Sequence, residues 1–482
     1  MDLRALLAGL TSAAVPQVPE VTGVCCDSQR IRPGDVFVAI PGFREDGRCH
    51  IAEAKARGAV CVLSREPVQE LPWAAVQDPR RALAEVSARL YRHPDRELAV
   101  VGVTGTNGKT TTATLIYEMA RLMGYKAGLL STVVNYVDTE AIHATQTTPD
   151  PITINALLAR MVEAGCSYAA MEVSSHAADQ HRIAGLTFAG GVFTNLTRDH
   201  LDYHKTVQAY LQAKKSFFDG LGSEAFALTN IDDRNGMVML QNTPARRYTY
   251  SLRNMADFRG RVVESRLDGT LLAFNGNEVN VLFTGLFNAY NLTAVYGASI
   301  LLGWDMQTVL VNMSRLVPVA GRFQTFHSPD GKVTAIVDYA HTPDAVVNVI
   351  TAIRQVVGTS GRIITVVGAG GNRDKGKRPI MAAEAARLSD AVILTSDNPR
   401  FEVPADILAD MLAGVADNPE AMAKTIAIED RAEAIAHAIA EASEGDVVLV
   451  AGKGHEDYQE VKGVKHHFDD REQVKAALDA RC

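Results

Sequence analysis

The sequence predicts an α/β fold in three domains. The length of 482 residues is sufficient for three hydrophobic cores, because domains average about 150 residues. Apolar strands alternate with helical segments from residue 98 onward, and a second alternation begins near residue 334. Such alternation is typical of a parallel sheet covered by helices.

Residues 1–97 are predicted to form a small N-terminal α/β module. Short strands are expected at 36–40 and 59–63, and a helix near 80–91. The sequence His93-Pro94-Asp95-Arg96 ends that helix, because proline has no backbone N–H to donate. We therefore place the first domain boundary after residue 97.

Residues 98–317 and 318–482 are predicted to form two further α/β domains. In the central domain, strands and helices are expected in turn at 99–103, 111–123, 127–130, 152–164, 168–173, 190–194, 207–218 and 225–230. Residues 246–285 are predicted to add antiparallel strands to this sheet, before a helix over 288–302. In the C-terminal domain, strands are expected at 334–338, 362–367, 391–395 and 447–451.

Composition excludes several classes of protein. A net charge of −8 and a pI near 5.9 argue against a general nucleic-acid-binding surface. The apolar runs are of strand length, and the N-terminus lacks a basic, apolar leader. Without a CxxC pair, the six cysteines are expected to be reduced; a redox pair at Cys25-Cys26 is the alternative to two strand residues. We expect a cytoplasmic monomer without membrane or nucleic-acid partners.

A glycine-rich loop follows the first strand of the central domain, in Val100-Val-Gly-Val-Thr-Gly-Thr-Asn-Gly-Lys-Thr-Thr-Thr112. Backbone N–H groups of such a loop, with the N-terminus of the next helix, bind phosphate oxygens. Lys109 can reach the terminal phosphates, and the Thr110 hydroxyl can ligate Mg²⁺. The strict Walker A spacing would require glycine at Val103, so the loop is a variant. We predict nucleoside triphosphate binding; a tight turn without a ligand is the alternative.

Polar residues also follow two other predicted strands of the central domain. Glu172 ends the strand before Val-Ser-Ser-His176, and it is predicted to ligate Mg²⁺ unless it only caps a helix. His200 lies among Asp199, Asp202 and His204, and this group is predicted to form a second cation site. A purely structural histidine is the alternative for His200.

Three further candidates are ambiguous from the residues alone. Lys214 and Lys215 lie on the helix ending near residue 218, where lysine usually faces solvent. Asp338 and His341 leave a strand in Val337-Asp-Tyr-Ala-His-Thr-Pro343, a position typical of sites in α/β folds. Arg322 follows the expected domain junction and can place a positive charge on a γ-phosphate, or it is a surface arginine.

Together these motifs resemble the Mur ligases, the ATP-dependent amide-forming enzymes of peptidoglycan precursor synthesis. The resemblance spans the chain through GTNGKTT, MEVSSH, TNLxxDHLDYH, FNxxN at 287–291, GR at 321–322 and VDYAHTP. It implies a uridine-nucleotide module at 1–97, a P-loop ATPase domain with a parallel sheet at 98–317, and a Rossmann-like, amino-acid-binding domain at 318–482.

The resemblance implies ATP and Mg²⁺ as cofactors. It implies an ATP site at Gly105, Thr106, Asn107, Gly108, Lys109, Thr110, Thr111, Asn288, Asn291, Arg322, Asp338 and His341. It implies catalytic roles for Lys109, Glu172, His200 and Lys214, with Thr110, Glu172, His200 and a carbamylated Lys214 as metal ligands. A carbamate (N6-carboxylysine) turns a cation that would repel the metal into an anion that attracts it. The neighbouring Lys215 leaves the register open, and the Ala213-Lys spacing favours Lys214.

Two substrate sites are implied by the same resemblance, which is greatest to members that add meso-diaminopimelate to a UDP-linked muramoyl dipeptide. The dipeptide site is implied at Cys26, Ser28, Phe43, Arg44, Glu45, Gln146, Thr147, Thr148, Ser174, Gln180 and Arg182. The diaminopimelate site is implied at Arg373, Asp397, Asn398, Pro399, Arg400, Gly452 and Glu456.

Four alternatives remain open from the sequence. The first is a lysine-adding Mur ligase, although such members usually lack Arg400. The second is a folylpolyglutamate synthase, which shares the core fold but is not expected to carry the N-terminal module or the Asp397-Asn-Pro-Arg400 segment. A P-loop protein that uses ATP only as a conformational switch is a third possibility. A second phosphate loop at Gly452-Lys-Gly454 is the fourth, although no Ser or Thr follows its lysine.

Overall fold

The computed structural model describes residues 1–42 and 45–481, apart from the side chain of Asp202. Phe43 and Arg44, predicted to contact the UDP-linked substrate, lie outside the described residues. The described cysteines, 25, 26, 49, 61 and 166, are free thiols. No helix in the described part of the chain is long and apolar enough to cross a membrane.

The N-terminal module contains a four-stranded parallel sheet in the order β1-β2-β3-β4. Its strands are β1 (Gly23–Cys25), β2 (Asp35–Val38), β3 (Cys61–Ser64) and β4 (Trp73–Ala75). Its helices are α1 (Leu3–Leu6), α2 (Ile51–Ala56) and α3 (Pro79–Leu90). The predicted break at residues 93–96 contains a 3₁₀ turn at Pro94–Arg96.

The central sheet has eleven strands in the order β15-β14-β13-β12-β11-β10-β5-β9-β6-β7-β8. The strands are β5 (Ala99–Thr104), β6 (Ala127–Leu130), β7 (Val134–Val137), β8 (Glu140–His143), β9 (Tyr168–Glu172), β10 (Gly190–Phe193), β11 (Phe226–Asn230), β12 (Arg246–Ser251), β13 (Phe258–Arg266), β14 (Gly269–Phe274) and β15 (Asn277–Val281). The helices are α4 (Lys109–Leu122), α5 (Pro151–Glu163), α6 (Ser175–Asp179), α7 (Leu201–His204), α8 (Val207–Asp219), α9 (Gly236–Met239), α10 (Leu286–Leu301) and α11 (Met306–Met313).

One prediction for this sheet was wrong in part. Residues 246–285 were expected to be antiparallel, but β12 pairs in parallel with β11 and β13 pairs in parallel with β12. Only β13, β14 and β15 form the expected antiparallel meander. The hairpin β7–β8 was not predicted. Its exposed β8 offers little of the apolar pattern by which a strand is recognised.

The C-terminal sheet has six strands in the order β16-β17-β21-β18-β19-β20, all parallel except β16. The strands are β16 (Gln324–His327), β17 (Thr334–Asp338), β18 (Ile363–Ala369), β19 (Ala391–Ser396), β20 (Thr425–Ala427) and β21 (Val447–Ala451), and β22 (Tyr458–Val461) pairs with β23 (Val464–His467) as a separate hairpin. The helices are α12 (Pro343–Val357), α13 (Lys377–Leu388), α14 (Pro404–Leu412), α15 (Pro419–Ala423), α16 (Arg431–Glu441) and α17 (Asp470–Asp479).

The three main sheets lie in separate segments of the chain, and this supports the proposed domain limits at residues 97 and 317. In the central sheet, β5 lies between β9 and β10, so the ends of three neighbouring parallel strands meet at one edge. Buried faces of α4 and α10 pack on one side of this sheet with Leu115, Ile116 and Leu292 in the same core. The fold thereby fixes the position of the loop between β5 and α4.

Candidate active site

The glycine-rich loop connects β5 to α4 and is held by Asn195, which follows β10, the strand paired with β5. Asn195 accepts a hydrogen bond from the backbone N of Asn107 (2.9 Å) and donates one to the Asn107 carbonyl oxygen (3.1 Å). Gly108 has a φ of 84°, and a Cβ there would lie 2.4 Å from Asn291 Oδ1. Only glycine fits this position. Lys109 Nζ donates to the carbonyl oxygens of Gly105 (3.0 Å) and Thr106 (2.8 Å).

A cavity of about 710 Å³ lies over this loop and is lined by residues of both the central and C-terminal domains. Of the residues implied to bind ATP, those lining it are Thr106, Asn107, Gly108, Lys109, Thr110, Thr111, Asn291, Arg322, Asp338 and His341. Asn288 is not among them: its Nδ2 donates to the Thr284 carbonyl oxygen (2.9 Å), and its Oδ1 accepts from Asn291 Nδ2 (3.5 Å).

Arg322 joins the two domains at this cavity. Its Nη2 donates to Thr110 Oγ1 (3.3 Å), and its guanidinium lies 4.4 Å from the centre of the Tyr339 ring. The Asp338 carboxylate accepts a hydrogen bond from the backbone N of Phe323 (2.7 Å), which fixes the residue next to Arg322. Burial raises the pKa of Asp338, and Arg322 opposes that rise. Arg322 is therefore directed at the phosphate loop.

Glu172 ends β9 beside the loop and presents one unused oxygen. Its Oε1 accepts hydrogen bonds from the backbone N (2.7 Å) and Oγ1 (3.0 Å) of Thr132. Its Oε2 is buried and has no hydrogen-bond partner within the described residues. A buried carboxylate oxygen is costly without a partner, and Mg²⁺ prefers carboxylate oxygens. The residues present thus fit a magnesium ion at this position.

Lys214 is 1% exposed and reaches the same loop from α8. Its Nζ donates to the Gly105 carbonyl oxygen (2.6 Å) and lies 4.6 Å from the centre of the Tyr210 ring. Burial, with a smaller effect from Lys109, lowers the pKa of Lys214 well below its ordinary value. The neutral amine is the form that reacts with CO₂. Lys215 points away and donates to the Gln241 carbonyl oxygen (2.7 Å).

Of the residues predicted to form a second cation site, His200 and Asp199 lie together and His204 does not join them, while the side chain of Asp202 lies outside the described residues. His200 Nε2 lies 3.4 Å from Asp199 Oδ2, but His204 Nε2 lies 2.9 Å from Ser175 Oγ instead. Among the described side chains, which leave out Asp202, no three His, Cys, Asp or Glu come close enough together to hold a metal ion. The short helix α7 turns His204 into the α6–α8 packing, which the spacing in sequence did not reveal.

Residues predicted to bind the muramoyl dipeptide lie next to Glu172. Arg182 donates to Gln146 Oε1 (2.7 Å), Gln180 Oε1 (2.9 Å) and the Thr148 carbonyl oxygen (2.8 Å). Thr148 Oγ1 donates to the carbonyl oxygen of Glu172 (2.8 Å) and lies 3.2 Å from Ser174 Oγ.

The remaining dipeptide candidates have simpler surroundings. Thr147 Oγ1 lies 3.1 Å from Thr132 Oγ1, whose proton is donated to Glu172. In the N-terminal module, Ser28 Oγ donates to Glu53 Oε2 (2.6 Å), while Cys26 is exposed and Glu45 lies 3.4 Å from His50.

A second cavity, of about 950 Å³, adjoins the first and shares Asp199, His200, Tyr339 and His341 with it. The residues implied to bind diaminopimelate that line it are Arg373, Asp397, Asn398, Arg400, Gly452 and Glu456. Pro399 instead shapes the turn, since its carbonyl oxygen accepts from the Glu402 backbone N (3.0 Å). These shared lining residues place the two cavities side by side.

The floor of the second cavity is a hydrogen-bonded cluster around Asn398. Asn398 Nδ2 donates to Glu456 Oε2 (2.7 Å), and Lys453 Nζ donates to both Asn398 Oδ1 and Glu456 Oε2 (3.2 Å each). Lys453 is fully buried and paired with Glu456, which is not the arrangement of a phosphate-binding lysine. The alternative interpretation of residues 452–454 as a second phosphate loop is therefore wrong.

Several site residues were not predicted. Asn195 and Tyr210 hold the phosphate loop, the latter through a 3.1 Å contact between its hydroxyl and Thr106 Oγ1. Lys453 lay inside a motif that was considered, but its burial was not foreseeable from the sequence.

His341 lines both cavities, and burial lowers its pKa to about 4, so the imidazole is neutral near pH 7.

Comparison with known proteins finds matches along most of the chain. Models described as the Mur ligase family catalytic domain, the Mur ligase middle domain and the Mur ligase glutamate ligase domain match residues 20–99, 103–299 and 321–454. A UDP-N-acetylmuramoyl-L-alanyl-D-glutamate--2,6-diaminopimelate ligase from Parabacteroides distasonis is 57% identical over 481 residues, covering 98% of each chain. A solved structure of a ligase with that name is 33% identical, with a TM-score of 0.72 and coverage of 100% of this chain and 99% of the other.

A folylpolyglutamate synthase from Thermotoga maritima is 15% identical, with a TM-score of 0.59. It covers 78% of this chain and 90% of its own and shares the fold alone.

Proposed function

This chain belongs to the Mur ligase family, and from that premise we propose that it is the ATP-dependent ligase that joins meso-2,6-diaminopimelate to UDP-N-acetylmuramoyl-L-alanyl-D-glutamate. The observation that carries the proposal is the pair of adjoining cavities. One lies over a phosphate loop, and the other contains Arg400 and Glu456. We infer a role in peptidoglycan precursor synthesis in the cytoplasm, as a monomer.

An amide bond forms from a carboxylate only after one oxygen becomes a leaving group. The γ-carboxylate oxygen of D-glutamate attacks the γ-phosphorus of ATP, ADP leaves, and an acyl phosphate results. The amine of diaminopimelate then attacks the acyl carbon, loses a proton, and inorganic phosphate leaves. Such reactions depend mainly on positioning and on stabilising the phosphate charge.

In this proposal Lys109 and Arg322 approach the phosphates from different domains. Lys109 exchanges its carbonyl partners for phosphate oxygens, and Arg322 leaves Thr110 Oγ1 for the γ-phosphate. Because the two cations come from the two sides of the cavity, binding ATP favours closure of the C-terminal domain on the central one. Asn291, Asp338 and His341 contribute the remaining polar wall.

Mg²⁺ would be held by Thr110, Glu172, His200 and carbamylated Lys214. When bound, it would neutralise phosphate charge and orient the phosphoryl group that is transferred. The unpartnered Glu172 Oε2 and the buried amine of Lys214, beside a backbone carbonyl oxygen, support this ligand set.

Diaminopimelate has two ammonium and two carboxylate groups, so its site needs both signs of charge. Arg400 and Arg373 present guanidinium groups for a carboxylate, and Glu456 presents a carboxylate for the distal ammonium. Lysine lacks the distal carboxylate, so Arg400 favours diaminopimelate over a lysine-adding activity.

The test is a ligation assay with ATP and the UDP-linked dipeptide, offering diaminopimelate and lysine in separate reactions. We expect the UDP-linked tripeptide and stoichiometric ADP and phosphate with diaminopimelate, and little product with lysine. Equal use of both amino acids would contradict the substrate assignment. ATP turnover without any dependence on the amino acid would contradict the ligase assignment and favour a switch.

A further inference from the structure

Glu402 is a residue behind the diaminopimelate cavity that no part of the proposed chemistry uses. It lies two positions after Arg400, and its side chain is 16% exposed. Arg373 and Arg400 line the cavity from two different loops, at residues 370–376 and 397–402. Glu402 does not line the cavity, so any effect on the substrate must act through other residues.

The carboxylate of Glu402 collects its donors from the loop that carries Arg373. Oε1 accepts from Arg378 Nη2 (2.9 Å) and from the Asn372 backbone N (2.5 Å). Oε2 accepts from Arg378 Nη1 (3.0 Å) and lies 3.3 Å from Lys375 Nζ. All of these donors belong to residues 372–378, on either side of Arg373 or directly after its loop.

Arg378 is fully buried, whereas the Glu402 side chain is 16% exposed, so the guanidinium depends on its carboxylate partners to compensate its charge. Its Nη2 also donates to the Gly370 carbonyl oxygen (3.1 Å), and its Nη1 donates to Asp410 Oδ2 on α14 (2.8 Å). The guanidinium lowers the pKa of Glu402 to about 2, so the carboxylate stays ionised at any working pH. A buried bidentate pair of this kind fixes the geometry of both partners.

Weaker contacts join the same two loops and end on Arg400 itself. Arg400 Nη1 donates to the Gly371 carbonyl oxygen (2.8 Å), and the backbone N of Gly371 donates to the Asn398 carbonyl oxygen (2.9 Å). Arg400 has a φ of 53°, a backbone conformation that costs energy for a side chain other than glycine. The Arg400 backbone is held by the β22–β23 hairpin, through Arg400 N to the Glu460 carbonyl oxygen (2.9 Å) and Lys462 N to the Arg400 carbonyl oxygen (2.6 Å), and by these contacts with the Arg373 loop.

We infer that Glu402 is a positioning residue for amino-acid selection, which sets the distance between the Arg373 and Arg400 guanidinium groups by tying their two loops together through Arg378. This inference rests on the proposed function. It assigns specificity to a residue that does not touch the substrate.

The experiment compares Glu402→Gln with Asp410→Asn. Both changes remove one carboxylate partner of the same buried guanidinium, but Asp410 lies on α14, outside the two loops that carry Arg373 and Arg400. We expect Glu402→Gln to raise KM for diaminopimelate about tenfold while kcat and KM for ATP change less than about twofold. Asp410→Asn is expected to lower thermal stability and leave KM for diaminopimelate within about twofold.

A double-mutant cycle makes the test specific to Arg400. If Glu402 acts by placing Arg400, Glu402→Gln adds little to the KM of an Arg400→Ala enzyme. Additive effects, or an equal rise in KM for Asp410→Asn, would overturn the inference.

If Glu402→Gln does not fold, Lys375→Met weakens the same carboxylate from an exposed position and is expected to raise KM for diaminopimelate roughly three- to fivefold, beyond the range allowed for Asp410→Asn. An unchanged KM in that variant would then overturn the inference. The wild-type enzyme is assayed first with diaminopimelate: no ligation there contradicts the proposed function and is distinct from a failure of Glu402 alone.

Discussion

The first cavity, over the phosphate loop, and the second, the amino-acid cavity lined by Arg373 and Arg400, differ in how their charged side chains are paired. In the phosphate-loop cavity, Lys109 and Lys214 make their hydrogen bonds to backbone carbonyl oxygens. At the amino-acid cavity, two cations are already paired with carboxylates: Arg400, which lines it, lies 3.5 Å from Glu460, and Lys453, beneath the lining residue Glu456, lies 3.2 Å from that carboxylate. A polyanion such as a triphosphate can therefore be bound in the first cavity without breaking an ion pair.

The difference follows from the ligands that each cavity is proposed to bind. A zwitterionic amino acid brings as many cations as anions, so a neutral, internally paired site can exchange partners with it at little electrostatic cost. A triphosphate brings only negative charge, which in the proposed site is met by Lys109 and Arg322. Glu172 and a carbamylated Lys214 would hold the Mg²⁺ that offsets the remainder. Four measurements test this contrast, from the largest expected effect to the smallest.

Lys109→Ala removes the charge that faces the phosphates. We expect the ligation rate and ATP turnover to fall by about a thousandfold or more, because this cation stabilises the transferred phosphoryl group. The thermal unfolding temperature should change little, since Lys109 bonds only to two carbonyl oxygens of its own loop. Activity within a few-fold of wild type would remove the loop from the proposed mechanism.

Lys214→Ala removes the proposed carbamate. We expect a fall of roughly a hundred- to a thousandfold in kcat, because the metal loses an anionic ligand. Added short carboxylates should restore part of the activity by occupying the vacated space.

Lys215→Ala is the matched control, because Lys215 is also buried on α8 but pairs with Asp219. It should reduce stability and respond to no added carboxylate. Full activity of Lys214→Ala, or an equal rescue of Lys215→Ala, would contradict the assignment.

Arg400→Ala tests the amino-acid cavity. Losing a bidentate carboxylate contact in a desolvated site costs about 2–4 kcal/mol, or roughly thirtyfold to a thousandfold in kcat/KM for diaminopimelate. KM for ATP and for the UDP-linked dipeptide should change little. Arg400→Lys should rescue poorly, because an ammonium cannot present a planar fork. An equal loss with lysine as substrate would show that Arg400 supports only a shared contact or the fold.

His455 makes the amino-acid cavity sensitive to acid. Burial lowers the pKa of His455 to about 3, whereas the pKa of a histidine in the unfolded chain is about 6.5. As pH falls below 6.5 the unfolded state binds a proton that the folded state does not, so stability decreases, by about 2 kcal/mol between pH 7 and pH 5.

Hydrogen exchange of β21 at the two pH values measures this loss, and His455→Asn should reduce it. His467→Asn is the control, since Glu472 raises the pKa of the exposed His467 and its effect has the opposite sign. A loss that His455→Asn leaves unchanged would contradict this account.

The sequence by itself determined the order and type of most elements and the location of the phosphate loop. β5, β9 and β17 begin and end close to the predicted residues because their apolar runs are bounded by glycine or polar residues, a local signal. Gly108 and Lys109 were identifiable because a phosphate loop is contiguous in sequence. Through the resemblance to Mur ligases, the sequence also indicated Lys214, for which helix position alone predicted a solvent-facing side chain.

Only the tertiary structure decided which distant residues share an environment. The choice between Lys214 and Lys215 depends on which side of α8 packs on the loop, and Arg322 reaches Thr110 across a domain junction. Parallel pairing of β12, the burial of Lys453 and the contacts of Glu402 likewise depend on segments far apart in the chain. Residue patterns encode local periodicity, whereas burial and charge pairing arise from packing between segments, so these features appear only when the chain is folded.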